Sequence, residues 1–146
     1  MSTGPVTLKV VHRFDASAEH VFDAWLDPQV ARRWLFSTAP GDIVRAEVDA
    51  RVGGRFSFVR RGDGGDLEHV GEYLEIDRPR RLVFTFAVPA LSPEYDRVTV
   101  EIVRRDTGCE LTLTSEMTPE IHAEWGERTR EGWATLLAAL DRLLAG

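Results

Sequence analysis

From Val6 to Phe14 the apolar positions alternate: Val6, Leu8, Val10 and Phe14 share one face with His12. That period of two is the mark of an extended strand. His12 reads as a hydrogen-bonded histidine at the edge of a core rather than as a ligand. The period then changes. Val21, Phe22, Trp25 and Leu26 recur at helical spacing, with Glu19, His20 and Asp23 turned away. Asp27-Pro28 is a cap followed by a proline that suits a first helical turn. A second, short helix therefore starts there and carries Val30, Ala31, Trp34 and Leu35.

After Pro40-Gly41 alternation resumes through Val44, Ala46 and Val48. Gly53-Gly54 marks a bend, and Phe56 and Phe58 share a face of the next strand. Gly62-Asp63-Gly64-Gly65 is the strongest hairpin signal in the chain. A strand from Leu67 to Ile76 follows and stops before Pro79. Leu82, Phe84, Phe86 and Val88 form one face of a further strand. A loop from Pro89 to Asp96, bounded by prolines at 89 and 93, leads to Val98, Val100 and Ile102. Asp106-Thr107-Gly108 turns the chain into a last strand with Leu111 and Leu113. Thr118-Pro119 repeats the cap-and-proline signal. From it runs an apolar stripe of Ile121, Trp125, Thr129, Trp133, Leu136, Leu137, Leu140, Leu143 and Leu144, about six helical turns long. Gly126 and Gly132 each cost such a helix roughly 1 kcal/mol against alanine. A close approach to the sheet is one reason to keep them.

The order is strand, two helices, six strands, one long helix. It predicts an α+β domain in which an antiparallel meander buries the stripe of the last helix. The 146 residues fit a single domain over 1–146, with 43% hydrophobic and 29% charged residues. The net charge of −6 argues against a nucleic-acid partner. Arg60-Arg61, Arg78 to Arg81 and Arg104-Arg105 fall at strand ends and read as solvated rim rather than phosphate sites. The one cysteine, Cys109, excludes an intrachain disulfide and fits a reducing compartment. Residues 1–5 show no leader pattern, and no run nears the roughly 18 apolar residues of a membrane span. A cytoplasmic location without membrane insertion is expected.

Particular residues also carry a family likeness. Val21-Phe22-Asp23-Ala24-Trp25 with Asp27-Pro28 and Arg33-Trp34 is one block. Gly53-Gly54-Arg55-Phe56, Gly71 to Ile76, Pro79 and Arg81-Leu82-Val83-Phe84 form the next. Gly108 to Leu113 and Gly132-Trp133 with Leu137 and Leu140 complete the set. In order and spacing, from about Val6 to Leu144, these resemble the activator-of-Hsp90-ATPase-like branch of the START/Bet v 1 (SRPBCC) superfamily. The resemblance implies a helix-grip fold: a curved antiparallel sheet of about seven strands around a long C-terminal helix, with two short helices after the first strand. It implies a cavity between helix and sheet. The uses known for such folds are lipid and hydrophobic-ligand binding, polyketide aromatisation and chaperone assistance. The co-chaperones of the family carry a further N-terminal domain, so direct activation of Hsp90 is not expected of this chain.

The residues expected to line the cavity are Trp34, Phe36, Phe56, Phe58, His69, Tyr73, Phe86 and Trp125. Trp34 and Phe36 end a short helix before a proline-bounded loop, where a mouth would lie. Trp125 is on the early part of the long helix, which fronts the cavity in this fold. Trp133 and Phe84 read as core. His69 and Tyr73 share a face of their strand, with Gly71 as a candidate bulge that would switch faces midway. Facing inward, they offer an acid/base pair; facing outward, His69 is an exposed strand residue. His122 and Glu116 read as a salt bridge near the helix start, and Cys109 as a structural thiol. No metal-ligand spacing, nucleophile elbow or phosphate loop occurs, so no cofactor and no metal are expected. Three functions follow. The first is binding of a small hydrophobic molecule. The second is an enzyme acting on an aromatic ring or ester through His69 and Tyr73. The third is a stress-related protein that contacts a chaperone. The sheet's edges are also compatible with a homodimer.

Overall fold

The structure is a computed structural model that describes residues 5–91 and 94–145. Residues 1–4, Ser92 and Pro93 of the expected loop, and Gly146 lie outside the described residues. Alternation produces seven strands: β1 (Val6–Phe14), β2 (Ile43–Val48), β3 (Arg55–Gly62), β4 (Gly65–Asp77), β5 (Arg81–Phe86), β6 (Asp96–Arg104) and β7 (Cys109–Met117). They form one antiparallel sheet in the order β1-β7-β6-β5-β4-β3-β2. Two helices, α1 (Ala18–Leu26) and α2 (Pro28–Ala31), connect β1 to β2, and α3 (Pro119–Ala145) closes the chain. The expected helix grip is the fold observed.

Local chemistry sets the element ends. The Ser17 hydroxyl accepts from His20 N at the start of α1, and the Asp27 carboxylate from Gln29 N at the start of α2. Thr118 Oγ1 accepts from Ile121 N at 3.2 Å, with Pro119 in the first helical position. Gly71 is required by contact. A Cβ there would lie 1.8 Å from the Thr85 carbonyl oxygen and 2.4 Å from the Phe56 ring. It is not the bulge that its position invited. The register instead shifts between Tyr73 and Glu75. His69, Gly71 and Tyr73 thus share the concave face, and Ile76 rejoins it beyond the bulge.

The core lies between the concave face and α3, with α1 closing one end. Trp133, Leu137 and Leu140 of α3 belong to one buried cluster with Leu8, Phe14, Leu111 and Leu113 of the sheet. The predicted stripe was too wide and turned in the wrong direction at its start. Trp125 is 40% exposed, whereas Gly126 is buried. Helical geometry gives the reason. At about 100° per residue, position 126 lies within roughly 20° of Trp133 around the axis, and position 125 about 80° away. Neither helical glycine has a sheet atom as its nearest neighbour. A Cβ on Gly126 would touch the His122 ring, and Gly132 faces open space. Nor do His122 and Glu116 pair: Glu116 lies 3.7 Å from Arg97. His12 Nε2 bonds Asp141 Oδ2 at 2.8 Å, tying β1 to α3 as a core-edge histidine. Cys109 is buried, with its Sγ 3.6 Å from the Ala16 carbonyl oxygen.

Candidate functional site

Three walls enclose a cavity of about 1240 Å³. The first is the irregular segment 32–43 between α2 and β2. The second is the inner face of β3 to β5. The third is the flank of α3 that does not meet the sheet, where Gly132, Leu136, Ala139 and Leu143 follow at helical spacing.

Segment 32–43 is held by one carboxylate. Asp42 accepts from Ser37 Oγ, from the Thr38 backbone and hydroxyl, and from Ala39 N, all between 2.5 and 3.0 Å. Burial alone would raise its pKa, but these bonds together hold it below the ordinary aspartate value. Arg61 N donates to the Asp42 carbonyl at 2.7 Å, fastening the segment to β3. At the near end, Trp34 Nε1 donates to the Ala24 carbonyl at 3.0 Å, and its ring meets Trp25 edge-on.

Between these anchors the backbone of Phe36 is left-handed, with φ of 62°. A bulky residue there carries steric strain of order 1–3 kcal/mol. The ring it directs inward is the hub of the cavity floor. Phe36 stacks on His69 at 4.8 Å and on Phe86 at 4.9 Å, both within 15° of parallel. Phe58 and Trp133 meet it edge-on.

His69 is 6% exposed, so the exposed-strand reading of it is corrected. The bulge falls after Tyr73, which leaves both residues facing inward. The Nδ1 of His69 lies 3.4 Å from the Phe58 carbonyl oxygen. Loss of water lowers its pKa below the ordinary histidine value, opposed in part by the Phe58 carbonyl and aided by the Arg60 charge. Burial pushes the Tyr73 phenol far above its ordinary value. The two do not form an acid/base pair. Four residues of strand separate their Cα atoms by about 13 Å, and the Phe56 ring packs beside Tyr73 at 5.5 Å.

Of the residues expected at the site, Trp34, Phe36, His69 and Phe86 line the cavity. Phe58 lies beneath Phe36, fully buried, and Tyr73 is buried beyond Phe56. Phe56 borders a smaller cleft of about 530 Å³ with Glu47, Arg55 and Tyr95. Trp125 does not line the cavity. It lies toward the start of the same helix flank, under the Arg128 guanidinium at 5.4 Å.

The sequence reading missed the charges. Arg32, Arg33, Arg60, Arg128 and Arg142 border the cavity, with Glu131 as the single carboxylate of its lining. Arg61 is exposed as expected of a rim, but Arg60 is not a rim residue. Its register partner is Leu67, and it continues the inward face of Phe56 and Phe58. Its Nη1 donates to Thr38 Oγ1 at 3.3 Å, and its Nε is buried without a partner. Strict alternation from Phe56 was the signal available for it. Among the described residues no cluster of three potential metal ligands occurs.

A sequence model of the family described as activator of Hsp90 ATPase homolog 1-like protein matches residues 15–145. The chain belongs to this family. Solved structures of similar shape agree with the grip fold of this family member. Protein NE0264 from Nitrosomonas europaea has a TM-score of 0.83 at 24% identity, over 96% of this chain and 94% of its own. Protein CV1439 from Chromobacterium violaceum has a TM-score of 0.78 at 27% identity, over 95% and 97%. CalU16 from Micromonospora echinospora has a TM-score of 0.73 at 23% identity, over 96% and 74%. Comparison with curated proteins gives no match. Among the described residues of this family member, no helix is long and apolar enough to cross a membrane.

Proposed function

We propose that this protein binds a small, mostly apolar ligand in the cavity between α3, segment 32–43 and the inner face of β3 to β5. The observation that carries the reading is the aromatic floor. Phe36, held in a strained backbone conformation, stacks with His69 and Phe86 beneath about 1240 Å³ of open space. Strain persists where the surroundings over-determine it, and it concentrates at ligand sites. Burying apolar surface on such a floor is favourable by roughly 25 cal/mol per Å². The family's grip fold generally serves hydrophobic ligands, and the separation of His69 from Tyr73 favours binding over acid/base chemistry. The single buried thiol supports a reducing, cytoplasmic setting.

The test uses N-phenyl-1-naphthylamine, a neutral apolar fluorophore. Saturable binding with a blue shift is expected. Gly132→Phe, which projects a ring from α3 toward the cavity where nothing lies within 4 Å, is expected to weaken it at least about tenfold without loss of fold. No saturable binding, or equal binding by the filled variant, would defeat the reading.

A further inference from the structure

We propose that the ligand is an anionic amphiphile, an apolar body carrying a carboxylate, sulfonate or phosphate head, and that Arg60 with the arginines at the mouth holds the head. This rests on the apolar-cavity reading and adds the charge.

The argument begins with the distribution of partners. Of the twelve arginines elsewhere, eight, Arg45, Arg51, Arg78, Arg80, Arg81, Arg97, Arg104 and Arg105, have a carboxylate within 4 Å, and Arg13, Arg55, Arg61 and Arg130 have none among the described residues. None of these borders the cavity. The five that do border it have no such partner among the described residues. Arg32 donates to the Ile43 carbonyl, Arg60 to a hydroxyl, and Arg128 lies over a ring. The protein as a whole carries −6, so the cavity is a local reversal of sign.

The Thr38 hydroxyl that accepts from Arg60 donates in turn to the Asp42 carboxylate, so the guanidinium reaches that carboxylate only through a hydroxyl. Asp42 belongs to the same segment as Thr38, the hydroxyl partner of Arg60, yet its oxygens already accept four hydrogen bonds from Ser37, Thr38 and Ala39. A buried guanidinium donor left unpaired is costly, by more than a neutral donor would be. Arg60 Nε is such a donor. The planar fork of a guanidinium suits two oxygens of one anion. Apolar floor and cationic rim together set polarity: the ligand's body lies on Phe36, Phe86 and Leu136, and its head lies at the arginines.

A probe pair separates this inference from the reading beneath it. N-phenyl-1-naphthylamine and its sulfonate, 8-anilinonaphthalene-1-sulfonate, share one apolar body and differ by one anionic group. In 20 mM buffer the sulfonate is expected to bind at least about tenfold more tightly, and added salt should narrow the gap. Arg60→Gln should weaken the sulfonate about tenfold and leave the neutral probe within about twofold. Arg142→Gln, on the exposed flank of α3, repeats the test without touching a buried group and should show a smaller loss of the same kind. Equal affinities for the two probes in the unaltered protein would overturn the anionic head and leave the apolar cavity standing. Failure of both probes to bind would overturn both. Equal loss of both probes in Arg142→Gln would also overturn it, because the arginine would then act on packing and not on charge.

Discussion

The two flanks of α3 face different surroundings. On one, Trp133, Leu137 and Leu140 are sealed against the sheet, each 3% exposed or less. On the other, Leu136, Ala139 and Leu143 stand among unpaired arginines beside open space. The outer surface of the sheet differs in part, because several of its arginines are matched to carboxylates, as Arg81 is to Glu75 and Glu101. The sealed flank and the matched pairs satisfy themselves. The open flank packs part of its apolar area on the core and leaves the rest, with positive charge, facing the cavity. A site for a ligand is recognised here by what the fold has left unpaired, while its aromatic content alone does not distinguish it from core.

The contrast breaks first on stability. Leu140→Ala should cost about 2–5 kcal/mol, because a fully enclosed side chain leaves a cavity. Leu136→Ala should cost less than about 1 kcal/mol, since its side chain already borders space. Urea denaturation of both variants measures the difference, and equal losses would mean that the two flanks are alike. Phe36 sharpens the comparison. Phe36→Gly should be more stable than Phe36→Ala by about 1 kcal/mol, because glycine adopts φ of 62° without strain; both should lose the binding of the neutral fluorophore.

The arginines give a smaller effect of opposite sign. Arg81→Gln should destabilise by roughly 0.5 kcal/mol through loss of two exposed ion pairs. Arg60→Gln should leave stability unchanged or raise it, since it removes an unmatched charge from a cationic cluster. The smallest effect is on pH dependence. The folded-state pKa of His69 lies below 6.5, so the folded protein resists the proton that the unfolded chain accepts. Its contribution to stability is full above pH 6.5 and is lost as pH falls from there through the lowered folded value. His69→Phe keeps the stack and should flatten that slope in denaturation curves taken between pH 7.5 and 5.

Much of this was legible in the chain. Alternation from Val6, the caps at Asp27 and Thr118, and the Gly62 to Gly65 turn depend on neighbours a few residues apart, and they specified the elements. The family motifs specified their arrangement. Trp34, Phe36, His69 and Phe86 could be placed near a cavity for the same reason. The rest depends on rotation and distance. Leu136 and Leu137 are adjacent in sequence and equally apolar, yet one step of about 100° puts them on opposite sides of the question. The bulge after Tyr73 could not be told from one at Gly71, because either keeps a plausible face. Trp125 was misplaced by a stripe that drifts around the helix. The unpaired state of Arg60 is a fact about carboxylates far away in sequence, so no local pattern records it.

The central claim is that ligand and charge meet in this one cavity. A two-dimensional NMR titration of the labelled protein with dodecanoate tests it most directly. The account predicts saturable shifts concentrated at Phe36, Arg60, His69, Leu136 and Leu143, with β1, β6 and β7 silent. Shifts concentrated instead at Glu47, Arg55 and Tyr95 around the smaller cleft, with Phe36 and Arg60 unmoved, would contradict it.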